Sequence, residues 1–161
     1  MNKDNEKQLK LIDLLYENLI FFDFEADDRT DLLSKLSNIL KERGFVKDTF
    51  LEAVLERESK FPTGIPTVEV KIAIPHTDIS HVNKPCITIA KLKKAIIFRE
   101  MGSHANEIEV ELVFMLAVNA PKDQLKVLQK IIGMFCKPEI LIALRDSTTP
   151  KEIIDIITKN I

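Results

Sequence analysis

The chain has no tryptophan, one tyrosine, two cysteines and only four glycines in 161 residues. Two cysteines far apart, Cys86 and Cys136, do not amount to a disulfide framework or a zinc set. Both lie in apolar surroundings and are expected as core residues of a protein kept in a reducing cytoplasm. There is no Ser/Gly linker, no repeat and no low-complexity tract, so one domain over residues 1–161 is expected, with residues 1–8 frayed. No excess of one charge sign exists: 23 Lys and Arg face 25 Asp and Glu, for a net charge of −2. That excludes a general electrostatic pull toward nucleic acid or an anionic membrane. No apolar run approaches the about 18 residues of a membrane span. The opening Met1-Asn-Lys-Asp-Asn-Glu-Lys7 has no signal-peptide core behind it, so a cytoplasmic protein without membrane insertion is expected.

What is present is an ordinary globular mixture, 45% hydrophobic and 30% charged, with periodic stretches. Leu9 to Leu15 reads as one or two helical turns, and Asn18–Phe24 has strand composition. Asp27 or Asp28 is placed to cap a helix burying Leu32, Leu33, Leu36, Ile39 and Leu40, which Gly44 ends. Asp48 is placed to cap the next helix, with Phe50, Leu51, Val54 and Leu55 inward and Arg57-Glu58 at its end. Cys86–Leu92 and Ala95–Phe98 read as two strands. Ile108–Val118 starts alternating and becomes continuously apolar, the pattern of a strand buried on both faces. Pro121 opens a helix with Leu125, Leu128, Ile131, Ile132 and Phe135 as its stripe. Pro138 opens another with Ile140, Leu141 and Leu144, and Thr149-Pro-Lys-Glu152 is a capping box for a last helix. Helices before, between and after strands predict an α/β layered sandwich, a mixed sheet flanked by helices.

One stretch carries the chemistry: Phe61-Pro-Thr-Gly-Ile-Pro-Thr-Val-Glu-Val-Lys-Ile-Ala-Ile-Pro-His76-Thr-Asp78. Pro62 and Gly64 bracket a tight turn. Val68, Val70, Ile72 and Ile74 then alternate with Thr67, Glu69, Lys71 and Ala73, which predicts a strand. Pro75 ends it and holds Ile74 extended, so His76 leaves from a strand end. A histidine there serves as nucleophile, general base or metal ligand, or merely faces solvent. Its neutral ring is a good nucleophile near neutral pH. His81 and His104 have no carboxylate or histidine cluster beside them, and a metal site is not expected.

Three ordered pieces, Arg57-Glu58, Pro62-Thr63-Gly64 and Ile72-Ala73-Ile74-Pro75-His76, resemble the enzyme IIA family of the bacterial sugar phosphotransferase system, in its fructose/mannitol superfamily. The Phe-Pro-Thr-Gly-Ile loop is most similar to galactitol-type members. The resemblance runs roughly from Asp23 to the C-terminus. It implies that His76 is phosphorylated and that Arg57 holds phosphate oxygens through its planar fork. The plainer reading of Arg57 is a helix-end cation favoured by the helix dipole. Thr63, Gly64 and Thr77 would add a hydroxyl, backbone N–H groups and a second hydroxyl to the phosphate pocket. Glu58, Asp78 and Gln124 would support it from behind. Asp78 would orient the imidazole from its far nitrogen, or simply cap the turn.

Fructose- and mannitol-type members carry a second histidine where this chain has Gln124, which cannot take up a charge. The implied partners are the carrier HPr as phosphoryl donor and a cysteine of enzyme IIB as acceptor, with a membrane IIC. No cofactor is implied, because donor and acceptor are protein side chains. Phe61, Ile65 and Ile79 are candidate docking contacts, with core packing as the alternative, favoured for Ile79. A different class of reading is a regulatory module of the same family that senses phosphorylation and binds a target. An unrelated binding protein with a structural His76 is a third. A phosphate-ester hydrolase ranks last, for want of metal ligands or a second acid.

Overall fold

The computed structural model describes residues 10–161, so the expectation for residues 1–8 lies outside the described residues. A single 3-10 turn, Leu11–Leu14, leads directly into β1, Leu15–Phe24. Then come α1 (Arg29–Glu42), α2 (Phe50–Lys60), β2 (Gly64–Ile65), β3 (Ile72–Ala73), β4 (Cys86–Arg99) and β5 (Glu107–Ala117). Three helices close the chain: α3 (Pro121–Phe135), α4 (Pro138–Asp146) and α5 (Pro150–Lys159). The strands form one sheet in the order β1-β4-β5-β3-β2. β1 runs parallel to β4 and β3 parallel to β5, while β4–β5 and β2–β3 are antiparallel, so the sheet is mixed. Helices α1 and α2 cover one face and α3, α4 and α5 the other, each sealing its own apolar layer. This is the expected α/β sandwich.

Two of the helix caps act where the sequence puts them. Asp28 extends its carboxylate to the backbone N–H of Asp31 at 2.8 Å and opens α1. Thr149 accepts from Glu152 N–H at 3.2 Å and opens α5. The Glu152 carboxylate reaches back to Thr148, one residue short of a reciprocal box. Asp48 does not cap α2. Thr49 stands at that position, and Asp48 pairs in solvent with Lys41 at 3.7 Å. Among the described residues no helix is long and apolar enough to cross a membrane.

Four further expectations are corrected. The strand predicted over Thr67–Ile74 shrinks to Ile72–Ala73. Pro66 offers no ladder donor, the Thr67 hydroxyl binds the Val70 carbonyl, and Glu69 sits at φ 72°, so the chain folds into a loop that leaves Val68 65% exposed. The two strands predicted over Cys86–Leu92 and Ala95–Phe98 are one, β4, with a break in register between Lys91 and Ile96 against β5. The buried stripe of α3 is rotated by about one position: Val127, Ile131, Met134 and Phe135 are buried, whereas Leu125 and Ile132 are exposed. Cys86 is buried, its thiol pushed up to about 12 by burial, but Cys136 at the end of α3 is exposed.

Two features of this topology place the loop after β3. β3 runs beside β5 with Ala73 opposite Val113, and Pro75 continues that alignment by accepting from Leu116 N–H at 2.9 Å. His76 therefore leaves the sheet where β5 is about to turn into α3. β2 pairs antiparallel with β3, which brings the end of α2 back beside the same strand end.

Candidate functional site

Helix α2 ends by aiming two neighbouring side chains in different directions. Glu58 turns inward and is 3% exposed, while Arg57 stays at the surface. The Glu58 carboxylate accepts twice from Thr63, from the backbone N–H at 2.9 Å and from the hydroxyl at 2.7 Å. Burial pushes the Glu58 carboxyl above its ordinary range, against the two Thr63 bonds and the positive charges of Arg29 and Arg57. The Arg57 guanidinium lies 4.8 Å from the centroid of the Phe61 ring. Phe61 is 60% exposed, so the pair forms an apolar, cationic lip.

Gly64 is required by a close approach. A Cβ there would stand 2.6 Å from the backbone oxygen of Arg99, and Gly64's own carbonyl accepts from Met101 N–H at 2.7 Å. The turn is thereby fastened to the β4–β5 hairpin.

His76 is 7% exposed. Its Nδ1 lies 2.8 Å from the carbonyl oxygen of Ile74. A carbonyl only accepts, so Nδ1 carries the proton and Nε2 keeps its lone pair. Burial lowers the His76 pKa most, the Arg57 charge lowers it further, and the Ile74 bond opposes both. The ring is therefore a neutral Nδ1–H tautomer whose Nε2 has no hydrogen-bond partner among the described residues, the form a nucleophilic histidine needs.

The remaining candidates separate cleanly. Thr77 is buried, and its carbonyl accepts from Gln124 Nε2 at 3.1 Å, so Gln124 ties α3 to the residue after His76. Asp78 is exposed at the start of the 3-10 turn Ile79–His81. Of its two readings, Asp78 does not orient the imidazole, whose Nδ1 is held by Ile74, and it stands at the cap position of the turn without a side-chain capping bond. The Thr63 hydroxyl is committed to Glu58 rather than open to a ligand. His81 Nδ1 contacts the Thr49 hydroxyl at 2.7 Å, and His104 is exposed in the β4–β5 turn. Ile65 and Ile79 are half-buried. Among the described residues no three His, Cys, Asp or Glu side chains gather as a metal-binding set. The group that sequence reasoning missed is the Ile74 carbonyl. Only the Pro75 that keeps Ile74 extended hints at it.

A family model described as phosphoenolpyruvate-dependent sugar phosphotransferase system, EIIA 2, matches residues 13–160. The chain belongs to that family. Among its EIIA relatives, the galactitol-specific EIIA component of Escherichia coli K12 is 33% identical over 114 residues, covering 71% of this chain and 75% of that one. The transcriptional regulator ManR of Bacillus subtilis is 34% identical over 118 residues, which are 73% of this chain but 16% of the regulator. In a solved complex of enzyme IIAMTL with phosphorylated enzyme IIBMTL from Escherichia coli, the matched chain has the same fold. The TM-score is 0.72 at 18% identity, with 90% of this chain and 97% of that chain covered. The EIIA 2 match thus makes this chain an EIIA component of the sugar phosphotransferase system.

Proposed function

We propose that this EIIA chain is a phosphocarrier that takes a phosphoryl group from phospho-HPr onto Nε2 of His76. It then passes the group to a cysteine of an enzyme IIB, for uptake of a galactitol-like sugar alcohol through a membrane IIC. The observation that carries the reading is the buried, neutral His76, with Nδ1 engaged by Ile74 and Nε2 free. The Nε2 lone pair attacks phosphorus in line. An N–P bond forms as the N–P bond to the donor imidazole breaks, and the bonding pair returns to that imidazole. In the second step the IIB thiolate forms an S–P bond, and the pair of the breaking N–P bond returns to Nε2. Neither step needs a general acid on this chain, which suits Gln124 in place of a titrating group.

The work left to the protein is positioning and charge stabilisation. Arg57 supplies the cation for the phosphoryl oxygens, and its pairing with exposed Phe61 holds the guanidinium beside the loop. Thr63 and Gly64 act through backbone placement, the Thr63 hydroxyl being held by Glu58, while the Thr77 hydroxyl is offered to the phosphoryl oxygens. Phe61 and Leu125, the latter 58% exposed next to Gln124, are apolar contacts offered to a partner. The galactitol reading is supported by the relative from Escherichia coli. A second reading, a phosphorylation-sensing regulatory module, is supported by the match within ManR.

Incubation with enzyme I, HPr and phosphoenolpyruvate tests the proposal, followed by intact mass. The wild type gains one acid-labile phosphoryl group (about 80 Da by its formula) and His76→Ala gains none. No gain on the wild type sinks the carrier reading, and gain on both moves the site elsewhere. Transfer onward to a IIB then separates transport from regulation.

A further inference from the structure

Three hydrogen bonds run in series behind His76. Its Nδ1–H donates to the Ile74 carbonyl at 2.8 Å. The Ile74 N–H donates to the Thr63 carbonyl at 3.2 Å. The Thr63 N–H and hydroxyl both donate to the Glu58 carboxylate. Every donor in the series points toward Glu58. The series crosses from a strand end to a turn to a helix end.

Electronic polarisation does not travel far along this route. The N–H and C=O of Thr63 belong to different peptide units, and so do those of Ile74. What travels is position. Glu58 is anchored by α2, its two bonds fix the orientation of Thr63, and Thr63 sets where the Ile74 backbone lies. The Ile74 carbonyl in turn decides which imidazole nitrogen holds the proton. Arg57 is referenced to the same anchor, because Phe61, on which its guanidinium rests, lies between Glu58 and Thr63 in the chain.

We propose that Glu58 is a positioning residue that sets His76 and Arg57 in register with one another, acting through Thr63 and the Ile74 backbone. Without it the Ile74 carbonyl drifts and Nδ1–H loses its acceptor. The ring then also populates the Nε2–H tautomer, in which the attacking lone pair is occupied. The carboxylate's charge is not the active ingredient. A glutamine accepts from Thr63 N–H through its carbonyl and donates to the Thr63 hydroxyl through its amide, so it keeps both contacts.

The inference rests on the phosphocarrier reading for its kinetic arm only, and the other arm is independent of it. Nitrogen-15 NMR of the unphosphorylated His76 ring reads the tautomer directly, in the wild type, Glu58→Ala, Glu58→Gln and Thr63→Val. Transfer from phospho-HPr is measured on the same proteins, as kcat and KM separately. Wild type and Glu58→Gln show a proton on Nδ1 alone. Glu58→Ala shows a mixture and loses between about 10- and 100-fold in kcat with little change in KM. Thr63→Val, which keeps one of the two bonds to Glu58, shows the same change to a smaller degree, and it decides the matter if Glu58→Ala does not fold. A wild-type tautomer and a rate within twofold in a folded Glu58→Ala or Thr63→Val overturn the proposal. So does a Glu58→Gln protein as impaired as Glu58→Ala, since that would make charge the cause. If the wild type takes no phosphoryl group, the carrier reading fails, and the tautomer arm alone still supports or overturns the role of Glu58.

Discussion

At the scale of single residues, His76 is pulled toward neutrality by burial and by Arg57, and pulled back only by its bond to Ile74. The consequence for stability has a definite sign. The unfolded chain takes up the proton near the ordinary histidine value of about 6.5, while the folded chain resists it. The contribution is therefore whole above that value and is lost as pH falls through it toward the lower folded value. Glu58 works in the opposite sense. Its raised carboxyl favours the fold below the ordinary carboxylate range and loses that advantage as pH climbs. Comparing the wild type with His76→Gln cancels Glu58, which both carry. Between pH 7.5 and 5.5 the urea midpoint of the wild type should fall further than that of His76→Gln. Parallel slopes would mean that the ring takes its proton as readily folded as unfolded. The acid limb of phosphoryl acceptance should likewise lie below the ordinary histidine value. Residues with a distinctive side chain, Arg57 and His76 above all, can be singled out as candidates from their order and spacing in the sequence. The Ile74 carbonyl cannot, because every residue has one and only the fold decides which imidazole it meets.

At the scale of elements, the shortest pairing does much of the placing. β2 is two residues long, yet it joins β3 on one side and bridges to Glu100 at the end of β4 on the other. Gly64 makes this possible by lying against the Arg99 carbonyl. Backbone cannot step aside as a flexible side chain can, so Gly64→Ala should cost about 1–3 kcal/mol. The check is a lower urea midpoint with an unchanged slope. An unmoved midpoint would mean that β2 is not held against the hairpin in solution. The same element shows why strands were read less well than helices. Helix ends announce themselves through caps such as Asp28 and Thr149 and through Pro at the first turn. The alternation from Thr67 to Ile74 was real, but a strand also needs a partner for its backbone. The turn at Glu69 takes that away from Thr67 to Val70 and leaves a regular strand only over Ile72 and Ala73. In α3, Leu125 and Val127 are both apolar, and composition alone does not say which of them meets the sheet. On the other edge, β1 slips register twice against β4, and Asp23 sits at φ 48° within the second slip. Such irregularities discourage pairing with another chain along a sheet edge.

At the scale of the whole molecule, β5 binds the two apolar layers into one. Leu112, Phe114 and Leu116 belong to the layer under α3, α4 and α5, while Val113, Met115 and Ala117 belong to the layer under α1 and α2. A change in one layer therefore has to displace the strand that the other layer rests on, and the chain should unfold as a single cooperative unit. The scarcity of aromatic probes makes this testable. With no tryptophan and one tyrosine, Tyr16 emission reports from one place. Tyr16 packs edge-on to Phe45 at 5.4 Å, on the α1–α2 side. Phe114 lies on the opposite side, 4.5 Å from the ring of Phe135. Phe114→Ala should cost about 3–5 kcal/mol, the usual toll of emptying a large buried site. If the sheet couples the layers, Tyr16 emission and far-ultraviolet circular dichroism should shift to the same lower urea midpoint. If Tyr16 kept its wild-type midpoint while the helix signal moved, the layers would be separate units. Loss of the α3–α5 layer would then release Gln124 and Thr77 while leaving Arg57 on an intact α2. The site draws on both layers, so cooperativity across β5 is what keeps its two halves present together.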